Sequence, residues 1–230
     1  MRRGVRLCLF LGLACAVACC PVGATGQRDS TSIVYQGGGE DPRIALTFDD
    51  GPHPEYTAQI LDILAEYGIH ATFFVIGENA DLYPELLQRT VAEGHEIGNH
   101  TQTHPLKNLS REKMEQELSA CETTIGEWID CRPRLFRPPG GIISGTVTAL
   151  AEDHRYRVIL WSIDTRDWAH TPVKEITKTV LDGVGAGDII LMHDGIKSNS
   201  PTPQALRILI PILLERGYRF VTVSELLDER

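Results

Sequence analysis

Five short segments of this chain carry side chains able to do hydrolytic chemistry. Thr47-Phe48-Asp49-Asp50-Gly51-Pro52 sets two carboxylates side by side. One could bind a metal while the other takes a proton, although Asp, Gly and Pro also build ordinary solvated turns. His100-Thr101-Gln102-Thr103-His104 spaces two imidazoles four residues apart. On a helical turn that spacing puts both on one face, where they can chelate a single metal through nitrogen. With Asp50 they make two nitrogens and one oxygen. Three protein ligands leave positions open for water, as in catalytic rather than structural sites. Zinc suits this donor set, as do cobalt, manganese or iron.

Phe136-Arg137-Pro138-Pro139-Gly140-Gly141 joins a rigid stretch to a flexible one. Arg137 could hold a carboxylate through a bidentate bond, and the glycines let a substrate approach the backbone. Trp161-Ser162-Ile163-Asp164-Thr165-Arg166-Asp167-Trp168 sets aromatics beside carboxylates, a mixture suited to sugars, with Trp161 itself read as core packing. Leu191-Met192-His193-Asp194 ends an apolar run on a histidine, a natural general acid. Taken singly, each segment also reads as a loop, a turn or a core edge.

The elements between them alternate. Strands are predicted at Arg43–Phe48, Ala71–Ile76, His95–Asn99, Leu135–Phe136, Arg157–Trp161, Asp188–Met192 and Tyr218–Val221. Helices are predicted at Tyr56–Tyr67, Pro84–Glu93, from Ser110 to about Ile129, Ser144–His154, Pro172–Leu181 and Pro203–Arg216, the last kinked by Pro211. The helix capped by Ser110 shows an apolar face of Met114, Leu118, Cys121, Ile125 and Trp128. Short strands alternating with helices imply an α/β fold with a parallel sheet, either a barrel or a doubly wound sheet. In both, function collects at the C-terminal ends of the strands. Asp49, Asp50, His100, Arg137, Asp164 and His193 all fall at such ends.

Residues 1–24 read as a signal peptide, with a basic start at Arg2, Arg3 and Arg6 and an apolar run from Leu7 to Ala18 too short to span a bilayer comfortably. Cleavage could follow Ala18 or Ala24. The first would leave Cys19 to carry a lipid anchor, although the large aliphatic residue usual three places before such a cysteine is missing, and the choice stays open. Residues 25–41, with Gly37-Gly38-Gly39, read as a linker, and 42–230 as the catalytic domain. Loss of residues 1–24 removes three Arg and no acid, taking the net charge from −9 to −12. That charge disfavours nucleic acid or an anionic membrane surface as a partner and is compatible with a neutral polysaccharide. Any membrane contact would run through Cys19. Cys121 and Cys131 are expected to be unbridged. Eight helical residues rise ~12 Å, and a disulfide needs Cα atoms within ~7 Å.

Taken in order, the five segments resemble the five motifs of carbohydrate esterase family 4, the NodB-like polysaccharide deacetylases. The similarity runs from about Arg43 to Leu227 and includes connecting text such as Ala71-Thr72-Phe73-Phe74-Val75-Ile76-Gly77. It implies a distorted (β/α) barrel of about seven parallel strands. It also implies Asp49 as general base, with Asp50, His100 and His104 as metal ligands. Arg137 would orient Asp49, and the Gly140 backbone N–H would hold the oxyanion. His193 would be the acid tuned by Asp167, a role Asp164 might share. Trp168 and Leu191 would line the acetyl pocket. Many relatives carry Tyr where this chain has Gly140, which removes a ring from the site wall and leaves substrate preference open.

The implied activity is removal of N-acetyl groups from a peptidoglycan or chitin-like polymer outside the cytoplasm: secreted, periplasmic or at the cell envelope. An O-acetyl esterase such as an acetyl-xylan esterase, deacylation of a smaller amide, and a glycan-binding module that has lost catalysis are the competing readings. A metalloprotease is disfavoured because His-Glu-x-x-His is absent. A two-carboxylate glycosidase would leave His100 and His104 unexplained.

Overall fold

The computed structural model describes residues 33–107 and 109–227. The expected signal peptide, the Cys19 anchor and residues 25–32 of the expected linker lie outside the described residues. In chain order the elements are β1 (Ile33–Val34), β2 (Arg43–Asp49), α1 (Tyr56–Tyr67), β3 (Thr72–Val75), α2 (Gly77–Leu82), α3 (Pro84–Ala92), β4 (Glu96–Asn99), α4 (Arg111–Ile129), β5 (Leu135–Phe136), α5 (Gly145–Asp153), β6 (Arg157–Ile159), β7 (Ile163–Asp164), α6 (Val173–Gly183), β8 (Ile189–His193), α7 (Thr202–Glu215), β9 (Arg219–Phe220) and α8 (Val223–Leu227). Single 3-10 turns sit at Pro139–Gly141 and Asp167–Ala169.

The strands pair in the order β1-β6-β5-β4-β3-β2-β8-β7, with β9 added alongside β2, and every pairing between them is parallel. The sheet curls because two short stretches tie its edges together. Between β6 and β7, Leu160 N–H donates to Val34 O while Ser162 N–H donates to Ile189 O. After β1, Gln36 bridges Asp188 and Gly37 N–H donates to Gly187 O. The result is the distorted (β/α) barrel expected, with extra two-residue strands at its margins.

Both faces of the sheet are covered, as parallel sheets require. Along β2 the side chains alternate: Ile44, Leu46 and Phe48 join the cluster under the helices, whereas Ala45 joins the interior cluster. Thr47 and Asp49 therefore share the inward face with Ala45. The interior is filled by Ala45, Phe74, Leu135, Ile159 and Ile189, and Val223 and Leu226 of α8 pack into the same cluster. The helices begin and end where local chemistry dictates. Ser110 caps α4 by accepting from Lys113 N–H, and Gly68, at φ 60°, ends α1 in the left-handed region that glycine adopts without penalty.

Several expectations need correction. Ile33 and Val34, assigned to the linker, pair with Val158 and Ile159. Residues 33–37 are thus part of the barrel wall, since a two-residue strand leaves no periodicity to read. Trp128 is 39% exposed rather than buried with the rest of its helix face; its indole N–H donates to Asp81 at the surface. As expected, no bridge joins Cys121 to Cys131; burial pushes the Cys121 thiol up to about 12, leaving it protonated and inert. Among the described residues no helix is long and apolar enough to cross a membrane.

Gly98 of β4 stands opposite Phe74 of β3, and a methyl group there would overlap the Phe74 ring. Gly98→Ala is expected to lower stability by about 1–3 kcal/mol through overpacking. Gly126→Ala, in α4 with nothing near its added carbon, is expected to raise it by about 0.5–1 kcal/mol. Urea unfolding of both variants checks the pair.

Candidate active site

Asp49, the last residue of β2, is 3% exposed. A buried carboxylate needs partners, and Arg137, at the end of β5 and wholly buried, supplies one. Its Nη1 donates to Asp49 Oδ1 at 2.6 Å and to Thr47 Oγ1 at 2.9 Å. The expected bidentate bond does not form, because the other donors are committed elsewhere. Nε donates to Ile159 O at 3.1 Å and Nη2 to Leu160 O at 3.0 Å. Those carbonyls lie where the chain crosses the open side of the barrel. The guanidinium also stacks over Phe74, 4.1 Å from its ring centre.

Asp50 follows in a left-handed conformation, φ 75°, and both carboxylates approach His100 Nε2, Asp49 Oδ2 at 3.7 Å. Asp50 Oδ1 is 3.4 Å from His100 Nε2 and 3.2 Å from His104 Nε2. The ligand atoms of all three residues lie within 4.8 Å of one another. His100 Nδ1–H donates to Arg137 O at 2.6 Å, which leaves Nε2 as the nitrogen that faces Asp50. Asp50 Oδ1 is buried without a hydrogen-bond partner. An orphaned carboxylate oxygen facing two imidazole nitrogens is a donor set that fits a divalent cation, and the bond from His100 to a main-chain carbonyl is the outer support such ligands use. Burial opposes the charge of Asp50, but the His100, His193 and His104 imidazoles outweigh it and hold the carboxyl at about 2. Burial lowers His104, assisted by His100. Burial opposes the charge of His100 as well, yet Asp49 and Asp50 raise it.

The two histidines do not lie on a helical turn, as their spacing suggested. Residues 100–104 form a loop with Thr101 at φ 71° and His104 at φ 54°. Asn99 Oδ1 accepts from Thr101 N–H, Thr101 Oγ1 accepts from His104 N–H, and Glu117 accepts from both Thr103 N–H and Thr103 Oγ1–H.

His193 ends β8 and stands level with Asp49 in the sheet register. Its Nδ1–H donates to Asp167 Oδ1 at 2.8 Å, and its main-chain N–H donates to Asp167 Oδ2 at 2.7 Å. Thr202 Oγ1 also donates to Asp167 Oδ2. Burial works against a charged His193, but Asp167, Asp49 and Asp50 raise it from 6.5 to about 9. Asp164 has no part in this: its Oδ1 accepts from Arg166 N–H. Leu191, buried, shares the inward face of β8 two residues before His193. Trp168 is 51% exposed, on the turn that begins with Asp167. Gly140 is exposed at φ 61° in the turn after Arg137.

Two contributors were not singled out from the sequence. Thr202 was hidden by distance along the chain. Asp194 was visible as the neighbour of His193, but nothing marked it as buried. Its Oδ2 accepts from Thr57 Oγ1 at 2.5 Å, and its N–H donates to Asp49 O. A side chain at Gly51 would strike its carboxyl. Burial, assisted by Asp50 and Asp49, pushes Asp194 up to about 7.

A barrel of this kind with two imidazoles and two carboxylates at its strand ends defines a class of metal-site hydrolases, and comparison with known proteins assigns the family. The family model described as polysaccharide deacetylase matches residues 36–159. A peptidoglycan-N-acetylglucosamine deacetylase of Bacillus cereus is 46% identical over 187 residues, covering 80% of this chain and 87% of the relative. The crystal structure of the Bc1960 peptidoglycan N-acetylglucosamine deacetylase superposes with a TM-score of 0.81 at 33% identity, covering 86% of this chain and 94% of that one. A family 4 acetyl xylan esterase from Clostridium thermocellum, solved with a cobalt ion, gives a TM-score of 0.74 at 37% identity, covering 80% and 89%. The chain belongs to the polysaccharide deacetylases of carbohydrate esterase family 4, with their NodB-like fold.

In the metal-free protein a His193 raised from 6.5 to about 9 adds stability that is complete below pH 6.5 and lost as pH rises through 9. Thermal unfolding of the chelated protein is therefore expected to show a fall in Tm across pH 6.5–9, and His193→Gln is expected to flatten it. An unchanged slope in the variant would contradict the assignment.

Proposed function

We propose that this enzyme removes N-acetyl groups from N-acetylglucosamine-type residues of a polysaccharide, peptidoglycan or chitin-like, in a metal-dependent hydrolysis that releases acetate. The observation that carries the reading is the orphaned Asp50 Oδ1 facing His100 and His104, with Asp49 pinned beside it by Arg137.

Asp50, His100 and His104 would hold a divalent cation, zinc being well suited, with cobalt, manganese or iron as alternatives. Held there, it supplies Lewis-acid polarisation of the acetamide carbonyl and lowers the pKa of water. Asp49 takes a proton from the attacking water. Arg137 fixes the carboxylate so that Oδ2, the oxygen it leaves unengaged, is the one that receives it. The Gly140 N–H donates to the oxygen that gains charge, an interaction typically worth ~3–4 kcal/mol. His193, held by Asp167 in the tautomer that leaves Nε2 to act, protonates the departing sugar amine. Leu191 and Trp168 bound the acetyl methyl. Oxygen and proton go to acetate and amine, so water is the sole co-reactant.

A second reading, hydrolysis of O-acetyl esters, is favoured by the similarity to an acetyl xylan esterase, because ester and amide present the same carbonyl to this site. The basic and apolar N-terminal segment, together with relatives named for peptidoglycan, supports export to the cell envelope.

Acetate release from N-acetylglucosamine oligomers is expected from the purified protein, abolished by chelator and restored by zinc. Release from acetylated xylan alone would move the assignment to the ester reading, and release from neither under any metal would move it to a binding module. Asp49→Asn is expected to lower kcat by about 10²–10⁴-fold with metal content unchanged, whereas His104→Ala is expected to lose metal occupancy.

A further inference from the structure

Thr101 is the most strained residue of the site. A β-branched side chain at φ 71° is a genuine outlier of backbone conformation, and this one is wholly buried between the two histidines. Something must hold it there. Its own N–H is bound by Asn99 Oδ1 at 2.8 Å, and its carbonyl accepts from Gly77 N–H. Asn99 is itself wholly buried. Its Nδ2 donates to Leu118 O at 3.1 Å and to the Tyr156 hydroxyl at 3.0 Å, so the amide cannot rotate without breaking all three bonds. The Tyr156 hydroxyl in turn donates to Glu122 Oε2 at 2.9 Å, and Glu122 is anchored by Arg132. The chain of bonds runs from the surface of α4, through Tyr156 just before β6 and Asn99 at the end of β4, to the loop that carries His100 and His104. None of Glu122, Tyr156 and Asn99 belongs to the chemistry described above.

We propose that Tyr156 and Asn99 are positioning residues that keep the 100–104 loop in the strained form in which both imidazoles face Asp50. The proposal rests on the reading of that triad as a metal site. Removal of the Tyr156 hydroxyl takes away one of the three bonds that fix the Asn99 amide and leaves those to Leu118 O and Thr101 N–H. The amide is then held less firmly, and the strained Thr101, with His104 N–H bound to its Oγ1, departs more readily from the form in which both imidazoles face Asp50.

The test is zinc affinity, measured by competition with a chromophoric chelator on the metal-free protein. Tyr156→Phe is expected to bind zinc about tenfold more weakly, the usual cost of losing an outer-shell support. Tyr218→Phe is the control. It removes a comparable hydroxyl, bonded to Val184 O, with no link to the loop, and is expected to match the wild type. Glu122→Gln keeps an acceptor for Tyr156 and is expected to bind as wild type, whereas Glu122→Ala, which removes that acceptor, is expected to weaken binding in the same direction as Tyr156→Phe. These two serve also if Tyr156→Phe does not fold. Equal zinc affinity in wild type, Tyr156→Phe and Glu122→Ala would overturn the proposal, as would equal weakening in Tyr218→Phe. A wild type that binds no zinc or other divalent ion would overturn the metal reading itself.

Discussion

The Arg137–Asp49 pair is the constraint around which the barrel is organised. A guanidinium with no exposure and a carboxylate with almost none are costly to desolvate, by several kcal/mol each. They are tolerable because every Arg137 nitrogen is matched. Two of the acceptors, Ile159 O and Leu160 O, belong to the chain as it leaves β6 for the opposite edge of the sheet. One side chain thus orients the carboxylate and ties down the crossing that closes the barrel. Its position over the Phe74 ring adds a third role, as the lid on the interior apolar cluster. Loss of either partner would strand a buried charge, so the pair is a structural one whatever else it does.

The parallel sheet explains why the remaining groups meet. Strands buried on both faces present backbone and side chains to water at their ends, and the register aligns those ends. Asp49 is level with His193, and Asn99, just before His100, is level with Phe136, just before Arg137. Residues from widely separated segments arrive at one rim without any local sequence directing them toward one another.

At that rim the charges separate into distinct protonation states. Asp50 is held low by histidines, His193 is held high by carboxylates, and Asp194 is held high by burial. Environments that push titratable groups apart in this way are how one site offers both a base and an acid at one pH. Asp167 matters most here, because it takes His193 Nδ1 and is itself held by Thr202, which fixes Nε2 as the imidazole nitrogen it does not engage.

Much of this was legible in the residues alone. α1 and α4 fall where the sequence places them, because Gly68, Ser110 and the apolar periodicity are local signals, and the five segments bear chemically committed side chains in an order that the family resemblance accounts for. What the chain could not announce were features that exist through partners distant in sequence. Ile33–Val34 becomes a strand only against β6, and Arg137 gives up a bidentate bond only because two carbonyls compete for it. The His100–His104 loop abandons a helical turn because Asn99 and Glu117 bind its backbone and side chains otherwise. The choice between Asp164 and Asp167 is of the same kind: both follow Trp161 closely, and nothing in their spacing ranks them. Composition and local pattern determine which groups are present and on which element. Burial and hydrogen-bond competition, which arise only once the sheet has curled, decide which of those groups face one another and in what charge state.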